Sequence, residues 1–161
     1  MKTINTVKTQ TIKALMLLAL ASCAAASWAQ QDPHKMVMPA DLKWGDVPSL
    51  PAGAKIAMIE GPMNQAVPFT VRLKFPANYR IPPHVHPAVE RVTVLSGIFN
   101  MGLGEKFDRQ KTHPMTPGGF GMMQPGTAHF AWTDTETEIQ LHGTGPWGIT
   151  YINPADDPRK Q

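Results

Sequence analysis

Three residues in the middle of the chain have the types and spacing of metal ligands. His84 and His86 are two positions apart, so on an extended chain both imidazole rings project from one face, and Glu90 has the same parity. Two imidazoles and a carboxylate that converge from one strand suit a divalent first-row transition metal. His129, which follows a Pro125-Gly126 turn, could supply a third imidazole. A single histidine is more often exposed or satisfied in a core than a metal ligand, but four such groups together favour a metal site.

The elements that must position these groups have the pattern of short β-strands. Residues 68–75 alternate strictly between apolar and polar side chains, which is the period of a half-buried strand. Similar short runs recur at Lys55–Glu60, Val89–Leu95, Ile98–Leu103, Phe120–Gln124, Ala128–Thr133, Glu138–His142 and Ile149–Asn153. Pairs such as Gly61-Pro62, Pro82-Pro83 and Ser96-Gly97 lie between them and predict turns. All 16 prolines follow residue 30, and no later window has a helical period, so we expect an all-β sandwich, jelly roll or small barrel.

Two segments of the sequence resemble the two signatures of the cupin superfamily, in particular its compact single-domain bacterial members. These segments are His84-x-His86-x3-Glu90-x6-Gly97 and Gly118-x7-Gly126-x2-His129. The resemblance covers roughly residues 55–152. It implies a cupin-type double-stranded β-helix, or jelly-roll, barrel with a metal in its mouth. It also implies which residues hold that metal: His84, His86, Glu90 and His129.

The sequence departs from the cupin signatures at three positions. The glycine that normally opens the first signature is Asn78, which tolerates a left-handed backbone better than other non-glycine residues do. The proline of the second signature is moved one place, to Pro125, and its closing asparagine is Thr133. None of these changes falls on a ligand position, so the resemblance still implies metal binding.

Three further residues could contribute to chemistry, depending on where they point. His142 ends a run in which Ile139 and Leu141 share the other parity. If its face lines the barrel, His142 could orient a metal ligand or act as a general base, which makes it a candidate catalytic residue. Arg72 and Arg80 could recognise a carboxylate if they face the barrel mouth.

The first 29 residues have the features of a secretory signal peptide. They contain three lysines and no acidic residue, an apolar run from Ala14 to about Ala21, and small residues before a cleavage site near Ala29. Alternatively, Leu20–Cys23 resembles the lipobox of bacterial lipoproteins, with Cys23 as the lipid-anchored residue. Both interpretations predict export, and we expect a periplasmic or secreted bacterial protein.

Charge and cysteine content restrict the partners of the exported protein. The chain has 15 basic and 12 acidic residues, and removal of the three signal lysines leaves twelve of each, so no polyanion such as nucleic acid is expected. Cys23 is the only cysteine, so the mature protein would have no disulfide and no thiolate ligand.

We expect a signal peptide at 1–29, an N-terminal arm at 30–54, a cupin barrel at 55–153 and a tail at 154–161. The arm is long enough to pair two copies as a homodimer.

The sequence favours two functions. The first is a metal-dependent enzyme, dioxygenase-like or a lyase or isomerase, that acts on a small oxygen-bearing organic molecule. The alternative is a non-catalytic periplasmic protein that binds a small ligand or a metal. Iron, manganese, zinc, copper and nickel all remain open, although metal uptake outside the cytoplasm would favour copper and zinc by intrinsic affinity.

Overall fold

The computed structural model describes residues 34–161, and the regular structure of this part is almost entirely β. Its eleven strands are β1 (Gly45–Asp46), β2 (Lys55–Glu60), β3 (Pro68–Phe75), β4 (Arg80–Val85), β5 (Glu90–Ser96), β6 (Phe99–Leu103), β7 (Thr112–Met115), β8 (Phe120–Met123), β9 (His129–Trp132), β10 (Thr137–Thr144) and β11 (Thr150–Tyr151). Short 3-10 turns cover Pro39–Asp41, Arg109–Lys111, Pro154–Asp156 and Pro158–Lys160. None of the helical segments within residues 34–161 is long and apolar enough to cross a membrane.

The strands form two antiparallel sheets that enclose the core. One sheet has the order β1-β2-β3-β10-β5-β8, and the other has the order β11-β4-β9-β6-β7. Strands that are neighbours in the chain often lie in different sheets, which is the arrangement of a jelly-roll barrel. The predicted signal peptide, its cleavage site near Ala29 and the alternative anchor Cys23 lie outside the described residues. Residues 36–161 form one unit, and the boundaries predicted for arm, barrel and tail stay a prediction.

Strand β3 shows why an alternating sequence folds into this sheet. Phe69, Val71 and Phe75 are fully buried between the sheets. The alternate residues point outward, where Arg72 and Lys74 both pair with Glu138 of β10. Burying one apolar face while the charged face stays partly solvated is what favours a strand for this segment.

The prediction of a turn at Pro82-Pro83 is wrong, because both prolines lie inside β4. Proline has no N–H for a strand ladder, but the pairing of β4 with β9 shifts register between Ile81 and His84. The prolines therefore occupy the irregular part of the ladder. His113 lies in β7 and is exposed there.

Two turns of the cupin-like segments require a left-handed backbone. Asn78 adopts φ 58°, as expected from its place at the opening of the first segment. Gly97 adopts φ 73°, and a Cβ at this position would lie 2.4 Å from Oγ1 of Thr137 and 2.5 Å from the carbonyl oxygen of Glu136. A side chain at Gly97 would therefore disturb the turn between β5 and β6.

The residues before β2 cross one end of the barrel and are fastened there. β1 pairs with β2, and Leu50 is buried. The hydroxyl of Tyr151 donates a hydrogen bond to the carbonyl of Ser49 at 2.8 Å, and that of Tyr79 donates to the carbonyl of Pro51. We call residues 46–51 the covering segment. At the other terminus, Arg159 bonds to Asp157 and donates to the carbonyl of Ile149.

Candidate metal centre

The four residues predicted as metal ligands lie together in the barrel interior. His84 is near the end of β4, His86 follows that strand directly, and Glu90 and His129 are the first residues of β5 and β9. All four residues are buried, with exposed fractions between 2% and 7%. His84 and His129 are cross-strand partners, and the backbone N–H of Gly126 donates to the carbonyl of His86 at 2.9 Å. The turn before β9 is thus bonded directly to the segment that carries the first two histidines.

The carboxylate reaches this cluster by a different route from the one the sequence predicted. β4 and β5 belong to different sheets, so the chain crosses from one sheet to the other between Val85 and Glu90. Glu90 therefore faces the two histidines from the opposite wall of the barrel instead of standing beside them on one strand. The expectation that all three groups converge from a single strand is wrong, although the convergence itself is present.

Each histidine is oriented by a backbone carbonyl. The Nδ1 atoms of His84, His86 and His129 lie 2.7, 2.6 and 2.9 Å from carbonyl oxygens. These oxygens belong to Pro82, Gly148 and Thr127 respectively. A carbonyl can only accept, so each Nδ1 carries a hydrogen, and in the neutral imidazole Nε2 then presents its lone pair. This is the arrangement in which an imidazole binds a metal through Nε2.

The Nε2 atoms of His86 and His129 lie close to the carboxylate of Glu90, but these contacts do not satisfy the hydrogen-bonding capacity of the groups. Nε2 of His129 lies 3.0 Å from Oε2 of Glu90, and Nε2 of His86 lies 3.7 Å from Oε1. Nevertheless, Nε2 of His86 and Oε2 of Glu90 are buried and have no hydrogen-bond partner. The short distances therefore reflect groups that point at a common centre.

Burial and mutual proximity shift the pKa values of the three imidazoles. Burial and the two neighbouring imidazoles hold the pKa of His84 well below its ordinary value of 6.5. Burial also lowers the pKa of His86, although Glu90 and the Gly148 carbonyl act in the opposite direction. Burial acts against the charged form of His129 too, but the contact with Glu90 outweighs it and raises that pKa. Near neutral pH the cluster therefore contains at least two unprotonated imidazoles.

These donors fit a divalent transition metal. The nitrogen donors of the three histidines lie within 4.8 Å of one another. When the three imidazoles are neutral, their lone pairs and the carboxylate lack a positive partner, and a cation at their centre would supply it. His84, His86, His129 and Glu90 would hold such an ion, and nitrogen and oxygen donors of this kind accept several first-row metals.

Trp147 was not predicted to belong to the site. Its ring stacks on His86, with centroids 4.2 Å apart and an interplanar angle of 21°. Because the next residue, Gly148, accepts the Nδ1 hydrogen of His86, a single loop fixes this imidazole by stacking and by a hydrogen bond. The loop is 62 residues away in sequence, and only its high density of Gly and Pro around a tryptophan marks it as unusual.

The cluster opens into a cavity of about 360 Å³ between the two sheets. Its walls are mostly aliphatic and aromatic, with Val71 and Leu141 from one sheet and Phe99 and Ala131 from the other. The covering segment forms part of the wall through residues 46–50. The size and apolar lining are those of a site for a small organic molecule.

The other candidate residues do not line this cavity. On β10 it is Ile139 and Leu141 that form the wall, so His142, with the opposite parity, lies on the outer face of its sheet. Arg72 lies on the same outer face and pairs with Glu138. The guanidinium of Arg80 packs over the ring of Phe107. Of the described residues, Arg159 is the one arginine in the cavity lining.

Several solved structures resemble this chain in fold. The polyketide cyclase RemF from Streptomyces resistomycificus is 18% identical, with a TM-score of 0.65 over 79% of this chain and 91% of the other. A candidate acetylacetone dioxygenase from Methylibium petroleiphilum PM1 is 15% identical, with a TM-score of 0.59 over 80% and 87%. An RmlC-like cupin from Shewanella frigidimarina NCIMB 400 is 15% identical, with a TM-score of 0.56 over 69% and 90%.

No protein-family model and no curated protein matches the sequence. At these low identities the structural likenesses show the fold, since one fold supports many reactions. The chain has the jelly-roll barrel of the cupins, and the fold class predicted from the sequence is confirmed.

Proposed function

We propose that this protein is an exported, metal-binding cupin that acts as a metal-dependent enzyme on a small oxygen-bearing organic molecule. The reaction class would be dioxygenase-like, or that of a lyase or isomerase. One observation carries the proposal: three imidazoles with their Nδ1 hydrogens bonded to backbone carbonyls bring their nitrogen donors within 4.8 Å of one another beside Glu90, in the wall of a largely apolar cavity. The likeness in fold to a polyketide cyclase and a candidate acetylacetone dioxygenase is consistent with it.

The chain positions the donor groups and supplies a largely apolar environment for this chemistry. When bound, a divalent ion polarises an oxygen of its ligand and lowers the pKa of a bound water. The backbone carbonyls of Pro82, Gly148 and Thr127 hold the three imidazoles as neutral donors. The largely apolar walls lower the local dielectric beside the cluster, which strengthens electrostatic interactions there.

A non-catalytic binding protein is the second candidate, and the composition of the cavity wall favours it. Apart from the four cluster residues, the ionisable side chains that line the cavity among residues 34–161 are Asp46 and Arg159. Asp46 bonds to Lys55, and Arg159 bonds to Asp157. A general acid or base separate from the proposed ligands is therefore absent from this part of the wall, as expected for a protein that captures a molecule without converting it.

Metal content and turnover test the proposal together. Purified wild-type protein should contain about one divalent ion per chain by elemental analysis, and His86→Ala should contain almost none. His142→Ala, with its substitution on the outer face, is the matched control and should retain the wild-type content. Full metal content in His86→Ala would refute the assignment.

The loaded protein should then consume dioxygen, or form product, with members of a panel of β-diketones, catechols and hydroxy acids. Stoichiometric metal and tight retention of a ligand, with no turnover across the panel, would instead establish the binding protein.

Export is the remaining part of the proposal. Full-length protein produced in a Gram-negative bacterium should appear in the periplasmic fraction, with a mature N-terminus at Gln30 by mass spectrometry. A membrane-bound product that begins at a lipid-modified Cys23 would establish the lipoprotein alternative. Retention of the intact leader in the cytoplasm would contradict both.

A further inference from the structure

We infer that the cavity takes a compact molecule with an apolar body and a single acidic oxygen-bearing end, such as an enol, a phenol or a carboxylic acid. Polyhydroxylated molecules and molecules with a second charge would be rejected. The inference rests on the proposed function in one respect, since it places the acidic end at a divalent ion held by the cluster. The preference for an apolar body rests on the cavity walls alone.

The cavity walls offer almost no hydrogen bonds to a ligand. Away from the cluster the wall contains residues such as Val71, Phe75, Phe99 and Leu141, all of which are at most 3% exposed. A ligand hydroxyl against such a wall would lose its water without gaining a partner. This loss disfavours sugars and other polyols, and it favours a hydrocarbon or aromatic body.

Two backbone carbonyls and the arginine of the cavity lining already have partners. The carbonyl of Gly148 accepts from His86, and the carbonyl of Ser49 accepts from Tyr151. Arg159 donates to Asp157 through Nε and one terminal nitrogen, and that nitrogen also donates to the carbonyl of Ile149. The charge of Arg159 is thus balanced within the tail and is not available to neutralise a second acidic group of a ligand.

The net charge of the metal-loaded cluster determines how much negative charge the acidic end of a ligand should carry. Three neutral imidazoles and one carboxylate around a divalent ion leave a net charge of +1 in a buried site. One anionic oxygen brings the total to zero, which makes it the favoured partner in a region of low dielectric. A dianion would leave a negative charge facing apolar side chains.

Two hydroxypyrones provide a matched pair of probes for the loaded protein. Allomaltol and kojic acid share one chelating head, and kojic acid carries a hydroxymethyl group where allomaltol carries a methyl group. Calorimetric titration of the zinc-loaded protein should give an affinity for allomaltol about tenfold higher than for kojic acid. Equal affinities, or tighter binding of kojic acid, would overturn the inference.

A second experiment uses metal-free protein and therefore does not depend on the metal proposal. The neutral fluorophore N-phenyl-1-naphthylamine, which has no chelating head, should bind with enhanced emission. Val71→Thr places a hydroxyl in the cavity wall and should weaken binding by about fivefold to tenfold. Val92→Thr is the matched control. Val71 and Val92 are equally buried and pair with Leu141 from the two strands that flank it, but Val92 does not line the cavity. It should change the affinity by less than about twofold.

The two experiments fail in distinguishable ways. If zinc does not bind, the proposed metal centre is refuted, while binding of the fluorophore and its loss in Val71→Thr would still support the apolar cavity. If zinc binds and the fluorophore does not, or if Val71→Thr and Val92→Thr behave alike, the inference about the ligand is refuted and the metal centre stands.

Discussion

Two places in the described part of the chain contain buried polar atoms without a hydrogen-bond partner, and they differ in what surrounds them. In the cavity the atoms are Nε2 of His86 and Oε2 of Glu90. On the outer face of the six-stranded sheet they are Nε of Arg72 and Nδ1 of His142. Both places contain a histidine on or next to a strand, so burial alone does not identify a functional site.

The difference lies in how many groups converge and what holds them. His86 is fixed by the Gly148 carbonyl and by Trp147, and two more imidazoles share its centre. On the outer face, Arg72 is already neutralised by Glu138 through a 3.4 Å ion pair, and His142 has no imidazole cluster around it. A buried histidine becomes a plausible ligand when the backbone fixes its Nδ1 hydrogen and other lone pairs meet its Nε2.

Removing one carboxylate from each place should give the largest difference in zinc affinity between two variants. Glu90→Gln removes the only negative charge of the cluster and should weaken zinc binding by more than about 100-fold, since even outer hydrogen-bond partners of metal ligands contribute about 10-fold to 100-fold. Competition with a fluorescent zinc chelator measures this. Glu138→Gln, on the outer face, should bind zinc like the wild type. Similar losses in both variants would erase the distinction between the two places.

Acid should destabilise the metal-free protein through the cavity histidines. Because the folded-state pKa values of His84 and His86 are lowered, the unfolded chain binds protons below pH 6.5 that the folded chain does not bind. Their contribution to stability is therefore complete above pH 6.5 and falls as the pH decreases, by up to about 1.4 kcal/mol per pH unit for each excess proton. His129 opposes this trend, since its pKa is raised and its contribution is present at low pH and lost as the pH rises through that pKa.

Two lowered pKa values against one raised value give a net loss of stability in acid. Urea unfolding of the metal-free protein should show a lower free energy of unfolding at about pH 5.5 than at about pH 7.5. A free energy that stays constant or rises toward pH 5.5 would show that the three imidazoles are not buried together as described.

Removal of the stacking ring should have the smallest effect on the metal. Trp147→Leu leaves the donors of His86 in place but removes a stacked contact at 4.2 Å, so zinc binding should weaken by about 2-fold to 10-fold. Trp44→Leu is the control, because Trp44 contacts Lys74 on the outer side. If Trp147→Leu lowers the affinity as much as Glu90→Gln does, the loop around Trp147 supports the whole cluster and not the orientation of one imidazole.

The strands themselves follow closely from the local pattern of the sequence. The predicted segment 68–75 coincides with β3, because it alternates between side chains that favour burial and side chains that favour solvent. Lys55–Glu60 coincides with β2 and is a short apolar run between two charged residues. β4 was missed, since Pro82-Pro83 is typical of a turn. Its place in a sheet depends on an irregular register with β9, which is a property of two strands and cannot be read from one.

The local pattern of the sequence by itself predicted an all-β sandwich, jelly roll or small barrel, because alternation along a strand and the residues of tight turns are local properties. The resemblance of two segments to the cupin signatures then implied the cupin-type barrel and the four groups of the candidate metal centre. Only the tertiary structure decided how these groups meet. It brings Glu90 from the facing sheet, places Trp147 and Gly148 against His86, and turns His142 outward. It also decided that the walls of the cavity are apolar, since contacts between strands distant in the chain are set by the packing of the two sheets and not by any single segment.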